Sequence, residues 1–184
     1  MGSERLDREA WVRAGLDALE DGGTPAVSAV ALARSLGVTR GSFYWHFESR
    51  DELLRAVLET WEREHSDAVL DALGAVEDPR ERLRLLLGAA TSKPPSLFIR
   101  LLEAQGTEPA AAEVLNRSRA RRVDFLAKAF RDCGITPAAA RRRALAVYAM
   151  YVGLAQLVSA DHDLVAGRER RALARELAAM VVPG

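Results

Sequence analysis

The sequence predicts an all-helical protein: an N-terminal three-helix head followed by a larger helical body, about nine helices in all. Three observations predict it. Alanine, leucine, arginine and glutamate dominate the chain, and all four are good helix formers. No stretch alternates apolar and polar residues over enough length to make a strand. Cap residues, prolines and glycines recur at helical intervals. The 184 residues are 49% hydrophobic and 28% charged, which suits an ordinary globular chain and excludes disorder or collagen-like repeats. The single cysteine, Cys133, excludes an intramolecular disulfide framework and a cysteine-built zinc site.

The first helix is expected over residues 6–21, with Trp11, Ala14 and Ala18 on one stripe, and Gly22-Gly23 stops it. Ser28 caps a short second helix that turns Leu32, Ala33 and Leu36 inward. Gly37-Val38 is a tight turn, and Thr39 caps a short third helix reaching about Phe47. Ser49-Arg50-Asp51-Glu52 is a capping box opening a fourth helix to about Leu73. Asp78-Pro79 and Thr136-Pro137 each place a cap before a proline at the first helical position. Lys93-Pro94-Pro95 breaks the fifth helix from the sixth, Gly106 and Gly134 stop the sixth and seventh, the eighth spans 137 to about 160, and the ninth about 168–181.

Two short helices meeting at a glycine turn form a helix-turn-helix plan. Leu32, Ala33, Leu36, Val38, Phe43 and Phe47 supply the apolar underside, Phe43 and Phe47 sharing one face at a spacing of four. That leaves Thr39, Arg40, Ser42, Tyr44, Trp45 and His46 for the outer side. Basic and acidic groups cancel over the whole chain, 26 of each, so the local distribution decides. Residues 1–27 hold three basic and six acidic groups, net −3; residues 28–50 hold Arg34, Arg40 and Arg50 against Glu48, net +2. No acid lies in 39–47 to repel a phosphate.

Residues 10–55, above all LARSLGVTRGSFYWHFESRDELL, resemble the tetracycline-repressor (TetR/AcrR) family of bacterial transcription regulators. The run Phe-Tyr-Trp-His-Phe with a basic residue three further on carries the resemblance. It implies that Tyr44 and His46 hold phosphates and that Arg50 clamps another. It implies too that Arg40, Gly41, Ser42 and Trp45 face base edges, with Gly41 permitting close approach. Ser28 matches a phosphate-binding hydroxyl, and Val30 stands where some members read a base. Arg40 is the first choice for sequence reading, since a guanidinium bonds guanine O6 and N7 together.

The resemblance also implies a homodimer through helices 8 and 9, an inverted-repeat operator in double-stranded DNA, and a small-molecule pocket in helices 4–7. Candidate pocket residues are Trp61, His65, Phe98, Phe125, Tyr148 and Tyr151. The wide apolar surfaces of helices 8 and 9 point to the same twofold four-helix bundle. Helix 4, joining pocket to Arg50, is the expected lever by which a ligand shifts the heads out of register. The expected division is a DNA-binding head at 1–48 and a ligand-binding, dimerising body at 49–184. The function so read is a ligand-responsive repressor; the alternatives are a helical small-molecule-binding dimer without specific operator binding, and a small helical enzyme.

His46, His65 and His162 lack metal-ligand spacing, and no nucleophile elbow or phosphate loop occurs, so neither metal, cofactor nor enzymatic activity is expected. Asp161-His162-Asp163 reads as a polar loop, Cys133 as packing, and the net +5 run at 117–131 as a solvated face. The opening residues are charged and carry no secretory signal, and ALAVYAMYVGLAQLVSA at 144–160 is short for a membrane span, so a cytoplasmic protein is expected.

Overall fold

Asp7 accepts a 2.8 Å hydrogen bond from the Ala10 N–H and opens the first helix, α1 (Arg8–Gly22). The structure, a computed structural model, describes residues 6–92, 96–160 and 167–183. Gly23 ends α1 with φ +71°, its N–H bonded to the Leu19 carbonyl. A 3₁₀ turn at Thr24–Ala26 leads to α2 (Ala29–Ser35), capped by Ser28, and then α3 (Arg40–Phe43). Next come α4 (Arg50–Glu62), α5 (Ala68–Gly74), α6 (Pro79–Ser92), α7 (Ser96–Ala104), α8 (Pro109–Asp132), α9 (Pro137–Ala160) and α10 (Gly167–Val181). Among the described residues there are ten α-helices and no strand.

The tenth helix arises because the expected fourth helix is two. A π turn at Arg63–Asp67 separates α4 from α5, with neither proline nor glycine to announce it. The proline-led starts at Pro79 and Pro137 and the stops near Gly106 and Gly134 fall where the sequence puts them; Lys93-Pro94-Pro95 and Asp161-His162-Asp163 lie outside the described residues. Thr39 precedes α3 but gives no side-chain cap; its hydroxyl meets Ser42 Oγ at 3.2 Å instead. Ser49 Oγ accepts from the Glu52 N–H as a capping box requires, whereas the Glu52 carboxylate reaches one residue further back, to the Glu48 N–H at 2.7 Å. That hydrogen bond holds the Glu52 carboxyl below its usual range.

The chain forms two compact units: residues up to His65 with Arg100–Asn116, and Ser66–Ile99 with Arg117 onward. The first is larger than the expected head at 1–48, because α4 packs into it. Leu53, Leu54, Val57 and Leu58 are all fully or almost fully buried, as are Trp11 and Leu19 of α1. α1 and α4 approach closely at Gly15, where a Cβ would lie 2.5 Å from Val57 Cγ2. Alanine in place of a helical glycine ordinarily stabilises by about 0.8–1 kcal/mol. Here overpacking against a β-branched, fully buried neighbour costs about 1–3 kcal/mol. Gly15→Ala should therefore lower stability by up to about 2 kcal/mol in urea unfolding; a gain would show that α1 and α4 are not held at this distance.

The second unit is built around Leu83, Leu87, Val123, Leu126, Phe130 and Val147 from α6, α8 and α9, with Val181 of α10 packed against them. Cys133 lies half-buried beside this cluster, and burial pushes its thiol up from the ordinary value. That disfavours the reactive thiolate and fits the packing role. In the basic run on α8, Arg121 pairs with Asp67 and Lys128 with Asp132 at 2.7 Å, while Asp124 of the same helix takes Arg141 of α9 at 2.6 Å. Among the described residues, no helix is long and apolar enough to cross a membrane and no cluster of potential metal ligands occurs.

Candidate nucleic-acid interface

The turn between α2 and α3 is set by Gly37, at φ +67°, a left-handed conformation that costs glycine little. The Gly37 and Val38 N–H groups bond back to the Arg34 and Ala33 carbonyls at 3.3 and 2.9 Å, satisfying the end of α2. α3 then tightens. The N–H groups of Tyr44, Trp45 and His46 each reach the carbonyl three residues back, and Phe47 returns to the Phe43 carbonyl at 3.0 Å. The rod therefore ends at Phe47 as the sequence predicts, but only its first turn is α-helical.

Its inner side is an aromatic wedge. Phe43 is 1% exposed; Trp11 meets it edge-on at 5.5 Å and Phe47 stacks on it at 5.5 Å. Arg8 covers Phe47 with its guanidinium 4.6 Å from the ring centre. With those faces filled, the opposite side is left to solvent. Trp45 is 86% exposed and Tyr44 54%. Thr39, Arg40 and Gly41 are exposed, and Ser42 partly so. An Arg40 terminal nitrogen donates to the Tyr44 hydroxyl at 2.9 Å, and the guanidinium lies 5.8 Å from the Tyr44 ring centre. A Cβ at Gly41 would meet only Thr39 Oγ1, at an ordinary 3.6 Å.

Ser28 is half-exposed at the start of α2, where its hydroxyl accepts from the Ala31 N–H at 3.2 Å and keeps its own proton to donate. Val30 is 61% exposed on the same helix. His46 is half-buried, its ring 6.5 Å from that of Trp11.

Arg50 is placed apart from this set. Its guanidinium donates to the Thr24 and Val27 carbonyls at 2.7 and 3.0 Å and pairs with Glu108 at 2.8 Å. Expected as a phosphate clamp, it is here a bracket between the 3₁₀ turn, α4 and the loop before α8. A phosphate at Arg50 would have to compete with Glu108, which lies 58 residues away and carries no local signal.

The other candidates divide as well. Phe98, Tyr148 and Tyr151 come together in the second unit, with rings 5.0 Å (Phe98–Tyr151) and 6.3 Å (Tyr148–Tyr151) apart. Phe125 instead lines a separate open groove with Asp67, Arg121 and Lys128. Trp61 is buried in the first unit, and the side chain of His65 lies outside what the structure describes. Sequence reading missed Arg122, whose guanidinium stands 5.6 Å from the Phe98 ring centre and 5.5 Å from that of Tyr151.

A family model for bacterial regulatory proteins, tetR family, matches residues 12–57, from the middle of α1 through the turn and the aromatic wedge into α4. Over this segment the chain carries a tetR-family head. Among curated relatives, it is 33% identical over 87 residues to the HTH-type transcriptional regulator BetI of Rhizobium meliloti, a stretch that is 47% of this chain and 43% of that protein. It is 40% identical over 55 residues to the tetracycline repressor protein class C of Escherichia coli, 30% of this chain and 25% of that one. The match thus spans less than half the length of either relative. A putative transcriptional regulator from Saccharomonospora viridis, solved in complex with choline, has the same fold over 92% of each chain, with a TM-score of 0.77 at 19% identity.

Proposed function

We propose that the protein is a DNA-binding transcriptional repressor that works in the cytoplasm as a homodimer on an inverted-repeat operator and is released by a small-molecule effector. The observation that carries this is the division of one short rod. Phe43 and Phe47 are sealed inside, while Arg40, Tyr44 and Trp45 stand out in solvent with no acid among residues 39–47. A buried aromatic wedge fixes the rod; an exposed indole and an uncommitted guanidinium edge are what a major groove accepts. Gly41 has room for a side chain inside the chain, so its bareness is best explained by what approaches from outside. Ser28 and His46 are proposed phosphate contacts, with Thr39 and Ser42 at the groove edge. The names of the curated relatives, a transcriptional regulator and a repressor, support the reading.

For ligand response, the support is the aromatic group of Phe98, Tyr148 and Tyr151 and a neighbour of the same fold that holds choline. The effector is proposed to favour a form whose two heads are wrongly spaced. Arg50 is tied to Glu108, just before α8, and α4 is the proposed lever.

Selection of bound duplexes from a random pool tests the proposal. A palindromic consensus bound with steep salt dependence is expected; recovery of no preferred sequence would leave a dimer without an operator. The head predicts two different losses. Arg40→Ala should weaken operator binding by about 1–3 kcal/mol and random DNA far less. Arg50→Ala should weaken both alike and lower the unfolding midpoint as well, because two backbone carbonyls and Glu108 lose their donor. Equal losses from both changes on both DNAs, with unaltered stability, would overturn these roles.

A further inference from the structure

The ligand-response reading leaves the chemistry of the effector open, and the second unit narrows it. Arg122 is half-buried between two aromatic faces. Its Nε has a long hydrogen bond, 3.4 Å, to Ser66 Oγ, and Ser66 is in turn bonded to Ser118 at 3.1 Å, both serines being 1% exposed. The neighbouring cations Arg121 and Lys128 have carboxylate partners. Among the described residues Arg122 has none, so both terminal amino groups of its guanidinium are left without an acid.

Its surroundings are short of acceptors in the same way. The hydroxyls of Tyr148 and Tyr151 make no hydrogen bond among the described residues. Burial raises the Tyr148 pKa, and the charges acting against that rise are Arg122 and Arg119; no carboxylate contributes. A partly buried guanidinium with its terminal donors free of any acid is a ready partner for a carboxylate. Serine and tyrosine hydroxyls cannot supply that charge at neutral pH.

From this we infer that the effector is an anion, a flat aromatic or unsaturated carboxylate, whose carboxylate is taken by Arg122 and whose body lies against Tyr148 and Tyr151, with the buried Phe98 backing Tyr151. A guanidinium holds a carboxylate through two parallel N–H bonds, and the aromatic walls favour a planar partner over a globular one. The charge of Arg122 works against a cationic ligand such as a quaternary ammonium. The inference rests on the ligand-response reading and specifies the charge of the ligand.

The experiment compares each acid with its own uncharged isostere. Benzoate, cinnamate and indole-3-acetate, with their primary amides and with choline as a cation, are titrated into the full chain by calorimetry. At least one acid should bind tenfold or more tighter than its amide, and choline should not bind. Arg122→Met should abolish the difference between acid and amide while the affinity for the amide stays put, and Arg122→Lys should restore part of it. If Arg122→Met does not fold, Arg122→Gln takes its place, with the same expectation. Amides that match their acids, a panel in which no acid binds, or a variant that weakens acid and amide equally would each overturn the inference. The last result would make Arg122 a packing residue. Operator release is scored separately: an uncharged or cationic compound that binds and frees the DNA keeps the ligand-response reading while ending the anionic one.

Discussion

Phe43→Ala should cost the protein about 3–5 kcal/mol, the range for emptying a phenylalanine site in a close-packed core. Three aromatic neighbours meet at this ring: Trp11 edge-on, Tyr44 edge-on at 5.2 Å and Phe47 stacked. Each such pair adds about 0.5–1.5 kcal/mol beyond the apolar area it buries. α3 has a single helical turn, and such a short rod is held by tertiary packing and not by its own hydrogen bonds. Against a total stability of about 5–15 kcal/mol for a typical domain, the loss would leave the first unit largely or wholly unfolded. Urea unfolding followed by circular dichroism measures it, and operator binding should vanish with it. Trp45→Ala is the matching control. With 86% of its surface in solvent, its loss should leave stability within about 0.5 kcal/mol and reduce operator affinity alone. A Phe43→Ala protein with near-normal stability would mean that the wedge does not set the rod.

The head was legible in the sequence because its determinants are local. Ser28, Gly37 and Ser49 each act on residues within four positions, and the structure puts each at the expected helix end with its expected backbone role. The inner and outer sides of the rod followed from one spacing, Phe43 to Phe47. What escaped was non-local. Arg50 has the right position for a clamp, but its partner Glu108 sits across a loop that no periodicity connects to it. Leu53, Leu54, Val57 and Leu58 are buried, yet nothing local in the sequence tells that α4 seals against α1 and joins the first unit.

The second unit was harder because its signals are compositional. The π turn at Arg63–Asp67 has no breaker residue. In the sequence Arg122 belongs to a charged run, although one helical step separates Arg121, which finds Asp67, from Arg122, which finds the Phe98 and Tyr151 rings and Ser66. Charge counts along a helix do not distinguish these two environments. Of the candidate pocket residues whose side chains are described, Phe98, Tyr148 and Tyr151 lie together while Trp61 and Phe125 lie elsewhere, because proximity of aromatics depends on how helices pack, and sequence spacing carries no information about that.

The proposed dimer yields the other large effect. Between Arg143 and Asp161, α9 carries no charged side chain. One side is consumed by the core through Ala144, Val147, Ala155 and Val158. Opposite it, Leu145 and Leu157 are 47% and 55% exposed, and Met180 of α10 is 77% exposed. Burying a leucine contributes about 1.5–3 kcal/mol, and a twofold axis counts every such residue twice. Leu157→Glu replaces that gain with two carboxylates facing a low-dielectric seam. The variant should sediment as a folded monomer with unchanged helix content, since its own core is untouched. Its operator affinity should then fall by about 10²–10⁴, the advantage that joining two reading heads supplies without any new contact. The operator loses this advantage only if both half-sites are engaged by one dimer, so a single half-site duplex should bind variant and parent equally. A Leu157→Glu protein that stays dimeric, or a half-site duplex that also loses affinity, would move the interface away from α9.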